Sequence, residues 1–508
     1  MSKQDINIVW FKRDLRLRDH APLFSAVENT RKTGFMVLLI YILEPSYQNA
    51  ADHDLRHTRF IIQSLNSMQV ELDEFNLKLF IFHQEASEVF SSLQNHFTIK
   101  NILSYQESGT AITYVRDQWV LDFTVQNSID WNQFQNNGVI RGLKNRNNWT
   151  KAWDQFMVVP IQTINLNSLE QADFKEEWKN EFIFFKILEF ELENQNFQLG
   201  GEKMAWRYLQ SFILNRIQNY SKHISKPTEA RTSCSRLSPY LAWGNLSIKQ
   251  VYQYSLGQKS TLGQHKNLTN FLSRIHWHCH FIQKFETEIR LEKENMNKAF
   301  NRIRTEWNEE YFEAWKLGKT GYPLMDACMR AVIQTGYLNF RMRSLLVSFL
   351  THQLWLDWRP GAIHLAKQFL DYEPGIHYPQ FQMQAGTTGI NTLRIYNPVK
   401  QSLDHDPYGI FIKKWVPELK NIPAPFIHEP WKLSELEQSL YECKIGQDYP
   451  FPIVDLEITS RHARKVLWES KGEKETKIEN QKILKRHTFR NSEKESTLEH
   501  KFPTHGNN

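Results

Sequence analysis

Apolar residues run along this chain in two rhythms, and the change of rhythm divides it. In the first third, Ile6–Phe11, Phe35–Leu43, Leu77–His83 and Asn101–Tyr105 are short, nearly continuous apolar runs, as expected of strands buried on both faces. The stretches between them, notably about Asp54 to Phe75, repeat at helical spacing. This alternation predicts a parallel sheet with helices on both faces, a Rossmann-like α/β domain over residues 1–130. No GxGxxG follows the first strand, so a dinucleotide clasp of that kind is not indicated. From about Trp131 to Gln198 the periodicity weakens and Asn and Gln abound, which predicts a connector (131–200) with short helices, ending at Gly200-Gly201. From Glu202 to about Leu467 the helical rhythm prevails, predicting an all-α domain over 201–470. Beyond Glu469 the chain is strongly charged. Lys471 to Lys485 reads as one solvated helix, and Arg490 to Asn508 as disordered, within a tail of 471–508. No internal repeat is found.

Composition narrows the class. The 508 residues fit two domains plus connectors, and 41% hydrophobic with 23% charged residues is globular. The longest apolar run, Phe35–Leu43, has nine residues, about half of a membrane span, so no membrane association is expected. The chain enters a strand at Ile6, leaving no room for a signal peptide. Cys234, Cys279, Cys328 and Cys443 lie far apart with no CxxC or zinc spacing, so a reduced, cytoplasmic protein is expected, and a monomer. A net charge of +6 permits nucleic-acid binding without requiring it. Most of the sixteen tryptophans must serve packing, while a minority could serve redox or base stacking.

Four stretches change the picture. They are Ile8-Val9-Trp10-Phe11-Lys12-Arg13-Asp14-Leu15-Arg16-Leu17-Arg18-Asp19, Ser235-Arg236-Leu237-Ser238-Pro239-Tyr240-Leu241, Gly318-Lys319-Thr320-Gly321-Tyr322-Pro323 and Arg394-Ile395-Tyr396-Asn397-Pro398. In order and spacing, across roughly residues 6 to 470, they resemble the cryptochrome/photolyase family, as in a bacterial deoxyribodipyrimidine photolyase-like protein of undetermined subclass. The resemblance implies an N-terminal α/β domain able to hold an antenna pigment and an all-helical FAD-binding domain. Read physically, Ser235 and Ser238 open a predicted helix whose N-terminus favours a phosphate; an ordinary N-cap needs only one such Ser. Thr232 and Ser233 offer a second start. Carried over by resemblance, Tyr220, Ser235, Arg236, Leu237 and Ser238 serve the FAD phosphates. Arg343 and Asp371 form an ion pair beside the isoalloxazine, with Tyr372 and Glu373 close by. His377 stands where most photolyases have Asn near flavin N5 and, being titratable, predicts pH-dependent flavin redox behaviour.

The departures from the family are as informative. Trp307 and Trp358 match the distal and middle members of its electron-transfer chain, but the innermost position is Phe381, which is far harder to oxidise. Tyr372, Tyr378 or Trp355 could offer a detour, and plain core packing is the alternative for Trp307 and Trp358. In the lesion pocket the family's Glu, Asn and Met are matched by Arg274, Phe340 and Ser344; of its two tryptophans Trp277 is kept and the other is Met383. The histidine pair of (6-4) photolyases is missing, and no cysteine quartet for an iron–sulfur cluster is present. His276 and His280 share a helix face, giving a choice among proton donors to a substrate, a packed polar helix and, with no further ligands, a metal site. Damaged DNA is the expected partner, with Trp277 stacking on the lesion, Arg274 and His377 at the reacting centre, Arg341 beside it, and Lys400, Lys413 and Lys414 on phosphates.

The sequence therefore leads to a light-driven DNA repair enzyme, a carbon–carbon lyase using reduced FAD, with a second antenna chromophore left unidentified because Glu107-Ser108-Gly109-Thr110 fits no known antenna pattern. The alternative is a blue-light receptor of cryptochrome type without repair; weaker still is a flavoprotein that binds nucleic acid without photochemistry.

Overall fold

The computed structural model describes residues 3–185, 196–259 and 265–488. Its first lobe is built on five parallel strands, β1 (Gln4–Phe11), β2 (Met36–Ile42), β3 (Leu79–Phe82), β4 (Phe97–Tyr105) and β5 (Asp130–Phe134), in the order β3-β2-β1-β4-β5. The period-two geometry of a strand sorts β1 cleanly: Ile6, Ile8 and Trp10 enter one apolar cluster, Val9 and Phe11 another on the opposite face. Helices α1 (Ala21–Thr33), α2 (Leu55–Leu72), α3 (Ala86–His96) and α4 (Ala111–Gln126) supply the crossovers. Asp54 starts α2 by accepting from the backbone N–H of Arg56, and Gly34 ends α1 at φ 72, a left-handed value that suits glycine.

β5 falls where a connector was expected to begin at Trp131, so that stretch opens inside the sheet. Its sequence, Asp-Trp-Asn-Gln-Phe, lacks an apolar run because it pairs on one side only, with β4, and remains half exposed. The rest of the presumed connector carries helix α5 (Trp149–Val158) and isolated bridges from Val37 to Gln171 and from Phe82 to Phe184.

From Glu202 on, the described chain is helical. The elements used by the site are α6 (Ser238–Ala242), α7 (His265–Thr287), α8 (Phe340–Ser348), α9 (Trp358–Gln368), α10 (Pro374–Ala385) and α11 (Pro398–His405). α7 and α10 pack closely at Gly375, where an added Cβ would stand 2.9 Å from the Ile282 Cα. Each lobe reaches into the other. Asn245 Nδ2 donates to the Leu15 carbonyl and His57 Nε2 to that of Phe369, both at 2.9 Å, while Arg13 Nε donates to Ala242 at 3.0 Å. The apolar cluster on one sheet face continues without a break into the helical lobe, from Val9 and Phe11 to Tyr220, Leu237 and Trp243.

The expected single solvated helix at Lys471–Lys485 is instead two helices, α12 (Leu456–Gly472) and α13 (Lys474–His487), and the second is docked. Ile483 and His487 of α13 are buried, and Arg486 and His487 meet the Glu288 carboxylate at 2.7 and 3.1 Å. Glu288 is held down to about pKa 2, because the His487 hydrogen bond and the Arg290 and Arg486 charges outweigh its burial. The expectation for Arg490–Asn508 lies outside the described residues. All four cysteines are buried and unpaired, and no described helix is long and apolar enough to cross a membrane.

Candidate functional site

Asn339 opens α8, which carries Arg343 one turn in, on the side facing the loop between α9 and α10. There Arg343 Nη2 donates to both Asp371 oxygens, at 3.0 and 2.8 Å, and Nε donates to the Leu338 carbonyl at 2.7 Å. Its guanidinium lies 4.0 Å from the Phe369 ring centroid. Nη1 makes no hydrogen bond among the described residues. A half-buried cation, fixed by a buried carboxylate and an aromatic face, thus keeps one donor for a ligand. Glu373 behaves differently: it caps α10 through the Gly375 N–H at 3.3 Å and turns Oε2 toward Arg13 Nη2 at 3.6 Å. Arg13 also donates to the Tyr372 carbonyl, so the loop Asp371–Glu373 is held from the sheet lobe.

His377, one turn into α10, is half-buried among Phe369, Tyr372, Tyr378 and Phe381, and its Nε2 donates to the Ala362 carbonyl at 2.8 Å. Burial pushes its pKa down to about 4. This runs against the expected pH-dependent flavin behaviour: above about pH 5 the ring is neutral, and with Nε2 committed, Nδ1 can only accept.

Around Ser235 the helix is smaller than expected. α6 has five residues, its N-cap is Leu237 without a side-chain cap, and Ser238 is already inside; Ser235 Oγ accepts only a long 3.5 Å bond from Leu237 N. The loop owes its shape to Arg216, a residue the sequence reading missed, which donates to the carbonyls of Tyr208, Thr232, Cys234 and Ser235. Arg236 adopts φ 60 and stacks 3.7 Å over the Tyr337 ring, with its Nε buried and unpartnered. Tyr220 is buried against Phe212 and Phe271, and Arg274 from α7 reaches its hydroxyl.

Exposed aromatics and cations stand on the solvent sides of α7 and α8. Trp277 and Phe340 are 40% and 47% exposed, Arg274 is exposed, and Arg341 Nη1 donates to the Tyr396 hydroxyl at 3.2 Å. Ser344 is buried and Met383 half-buried. The His276 ring is not among them. It packs edge-on against Trp153 at 4.8 Å and lies 5.1 Å from Trp149, both on α5, with its pKa driven to about 4 by burial. That favours the packed-helix alternative, and no metal-holding group of His, Cys, Asp and Glu occurs among the described residues. Trp358 is buried and donates to Asn295 Oδ1 at 2.7 Å, while Trp307 is 43% exposed. Trp355 sits elsewhere, against Arg304 and His462. Between the lobes a cleft of about 30 Å³ is lined by Lys12, Arg13, Glu107, Ser108, Ile282 and Glu373.

Two family models match the chain: "DNA photolyase" over residues 7–144 and "FAD binding domain of DNA photolyase" over 271–469. A deoxyribodipyrimidine photo-lyase of Alkalihalophilus pseudofirmus is 27% identical, covering 93% of this chain and 99% of that protein. The cryptochrome of Synechocystis superposes with a TM-score of 0.83 at 24% identity, covering 92% of this chain and 100% of the other. An archaeal photolyase from Sulfolobus tokodaii, solved with two FAD molecules, gives 0.74 at 27% identity over 92% and 100% of the two chains. A parallel α/β lobe fused to a helical lobe of this type defines a two-lobe FAD-binding flavoprotein. More narrowly, the chain belongs to the cryptochrome/photolyase family.

Proposed function

We propose that the protein is a FAD-dependent, light-driven DNA photolyase. The observation that carries this reading is the Arg343–Asp371 pair, with a spare guanidinium donor, in the same lobe as exposed Trp277, Phe340 and Arg274 and half-buried Arg341. The donor set fits FAD. Arg343 supplies a fixed positive charge for the isoalloxazine, with Asp371 limiting the cost of its burial; Tyr372, Glu373 and His377 line the same end. Tyr220, Ser235, Arg236, Leu237 and Ser238 serve the phosphates, and the buried unpartnered Nε of Arg236 is a donor awaiting an acceptor. When bound and reduced, FAD supplies an electron on absorbing light. The chain's own residues do the rest: Trp277 stacks on a pyrimidine lesion drawn out of the duplex, Arg274 neutralises the charge the lesion acquires, and Arg341 with Lys400, Lys413 and Lys414 holds phosphates.

Monomeric state and cytoplasmic location belong to the same reading, with the sheet domain extended through β5 to Phe134. Damaged DNA is the substrate. The deciding experiment illuminates chemically reduced protein with oligonucleotides carrying a cyclobutane dimer or a (6-4) product. Restoration of one lesion supports the proposal; loss of neither overturns it. A cryptochrome-type receptor is favoured by one observation, the docking of α13 on Glu288, and light-dependent protease sensitivity of that helix would support it.

A further inference from the structure

Phe381 breaks the expected path of electrons to the flavin, yet another ring occupies an equivalent place. Trp358 lies 6.3 Å from the Phe381 ring centroid and 6.5 Å from that of Tyr378. His377, which lies at the flavin end, is 5.4 Å from both. Tyr378 and Phe381 are therefore near-equivalent bridges between Trp358 and His377, and only one of them can be oxidised. A phenol loses an electron readily only if its proton leaves at the same time, so the question is whether a base is present. It is: Asp52, from the sheet lobe, accepts from the Tyr372 hydroxyl at 2.5 Å and from the Tyr378 hydroxyl at 3.3 Å, and the two hydroxyls lie 3.3 Å apart. Both rings are 3% exposed. Burial raises both phenol pKa values well above the ordinary one, so the protons stay on until oxidation removes them.

We propose that Tyr378 replaces the missing tryptophan as a proton-coupled electron relay, with Asp52 as its proton acceptor and Tyr372 orienting that carboxylate. The proposal rests on the flavin reading above. In the forward step, Tyr378 gives one electron to the light-excited oxidised flavin and its phenolic proton to Asp52, becoming a neutral tyrosyl radical. Trp358 then returns one electron to that radical while Asp52 returns the proton, which restores the phenol and leaves Trp358 oxidised by one electron. Trp307 passes one electron on to Trp358, and a soluble thiol meeting the chain at exposed Trp307 restores it, losing one electron and its proton to become a thiyl radical. The sum is one electron moved from the thiol to the flavin.

The test uses the flavin-loaded full chain and Tyr378→Phe, with folding and flavin content checked by circular dichroism and absorbance. Freeze-quenched, illuminated wild-type protein should give a neutral tyrosyl signal in electron paramagnetic resonance that Tyr378→Phe lacks. Light-driven flavin reduction should slow at least tenfold in Tyr378→Phe and recover in the double variant Tyr378→Phe/Phe381→Trp. The wild-type rate should fall about twofold or more in heavy water, and that of the double variant should not. An unchanged photoreduction rate in Tyr378→Phe, or a missing tyrosyl signal in wild type, overturns the relay. Repair by chemically reduced Tyr378→Phe should match wild type, which separates failure of the relay from failure of the repair reading.

Discussion

Arg343 shows how one side chain can be fixed and still be available. Its Nε and Nη2 are committed to Leu338 and Asp371, its plane rests on Phe369, and Nη1 is left over. Asp371→Asn keeps the shape and removes the charge, stranding the guanidinium. Because Arg343 remains 23% exposed, the expected cost is about 1–3 kcal/mol of flavin binding, below that of a fully buried pair. Flavin occupancy after extended dialysis should fall about tenfold or more, read from absorbance near 450 nm. At His377, the pKa near 4 makes the ring neutral throughout the physiological range. The midpoint potential of the bound flavin should therefore show no ionisation step from His377 between about pH 5.5 and 8.5, and a step near 6.5 that disappears in His377→Asn would show the ring to be titrating.

Among elements, what the sequence revealed depended on how each one is buried. The first four strands were legible because they are sandwiched on both faces and read as apolar runs. β5 was not, since a half-exposed edge strand needs no such run. The motif at Ser235 was legible as chemistry but misleading as a helix: α6 is short, and the loop is shaped by Arg216 from an element the motif does not include. Asp52 was invisible for a related reason, since it joins Tyr372 and Tyr378 across more than three hundred residues of chain. The ion pair at Arg343 and Asp371 was readable only through family likeness. α7 and α10, which carry Trp277 and His377, are set by the close approach at Gly375. Gly375→Val would push branched carbon into the Ile282 backbone 2.9 Å from the new Cβ, and should cost about 1–3 kcal/mol in thermal unfolding. Loss of flavin retention should accompany it, whereas a variant that melts like wild type would show that the helices can separate freely.

For the whole molecule, several histidines are held neutral by burial. His53, His276, His278, His364 and His377 have pKa values near 4, and His57 near 3. Folded values below the unfolded value of about 6.5 mean that the unfolded chain binds more protons between these limits. Stability should therefore be intact above about pH 6.5 and fall as pH drops toward 4, by up to about 1.4 kcal/mol per pH unit for each such histidine. Denaturant midpoints measured at pH 7.5, 6.0 and 5.0 check this, and a midpoint that rises with acidification would contradict it. The apolar cluster that runs from one sheet face into the helical lobe has a last consequence. Each lobe has an apolar cluster of its own, but this third one is shared and ties the two together, so the chain should melt in one cooperative calorimetric peak rather than two, and separately expressed halves should regain full stability only when produced together.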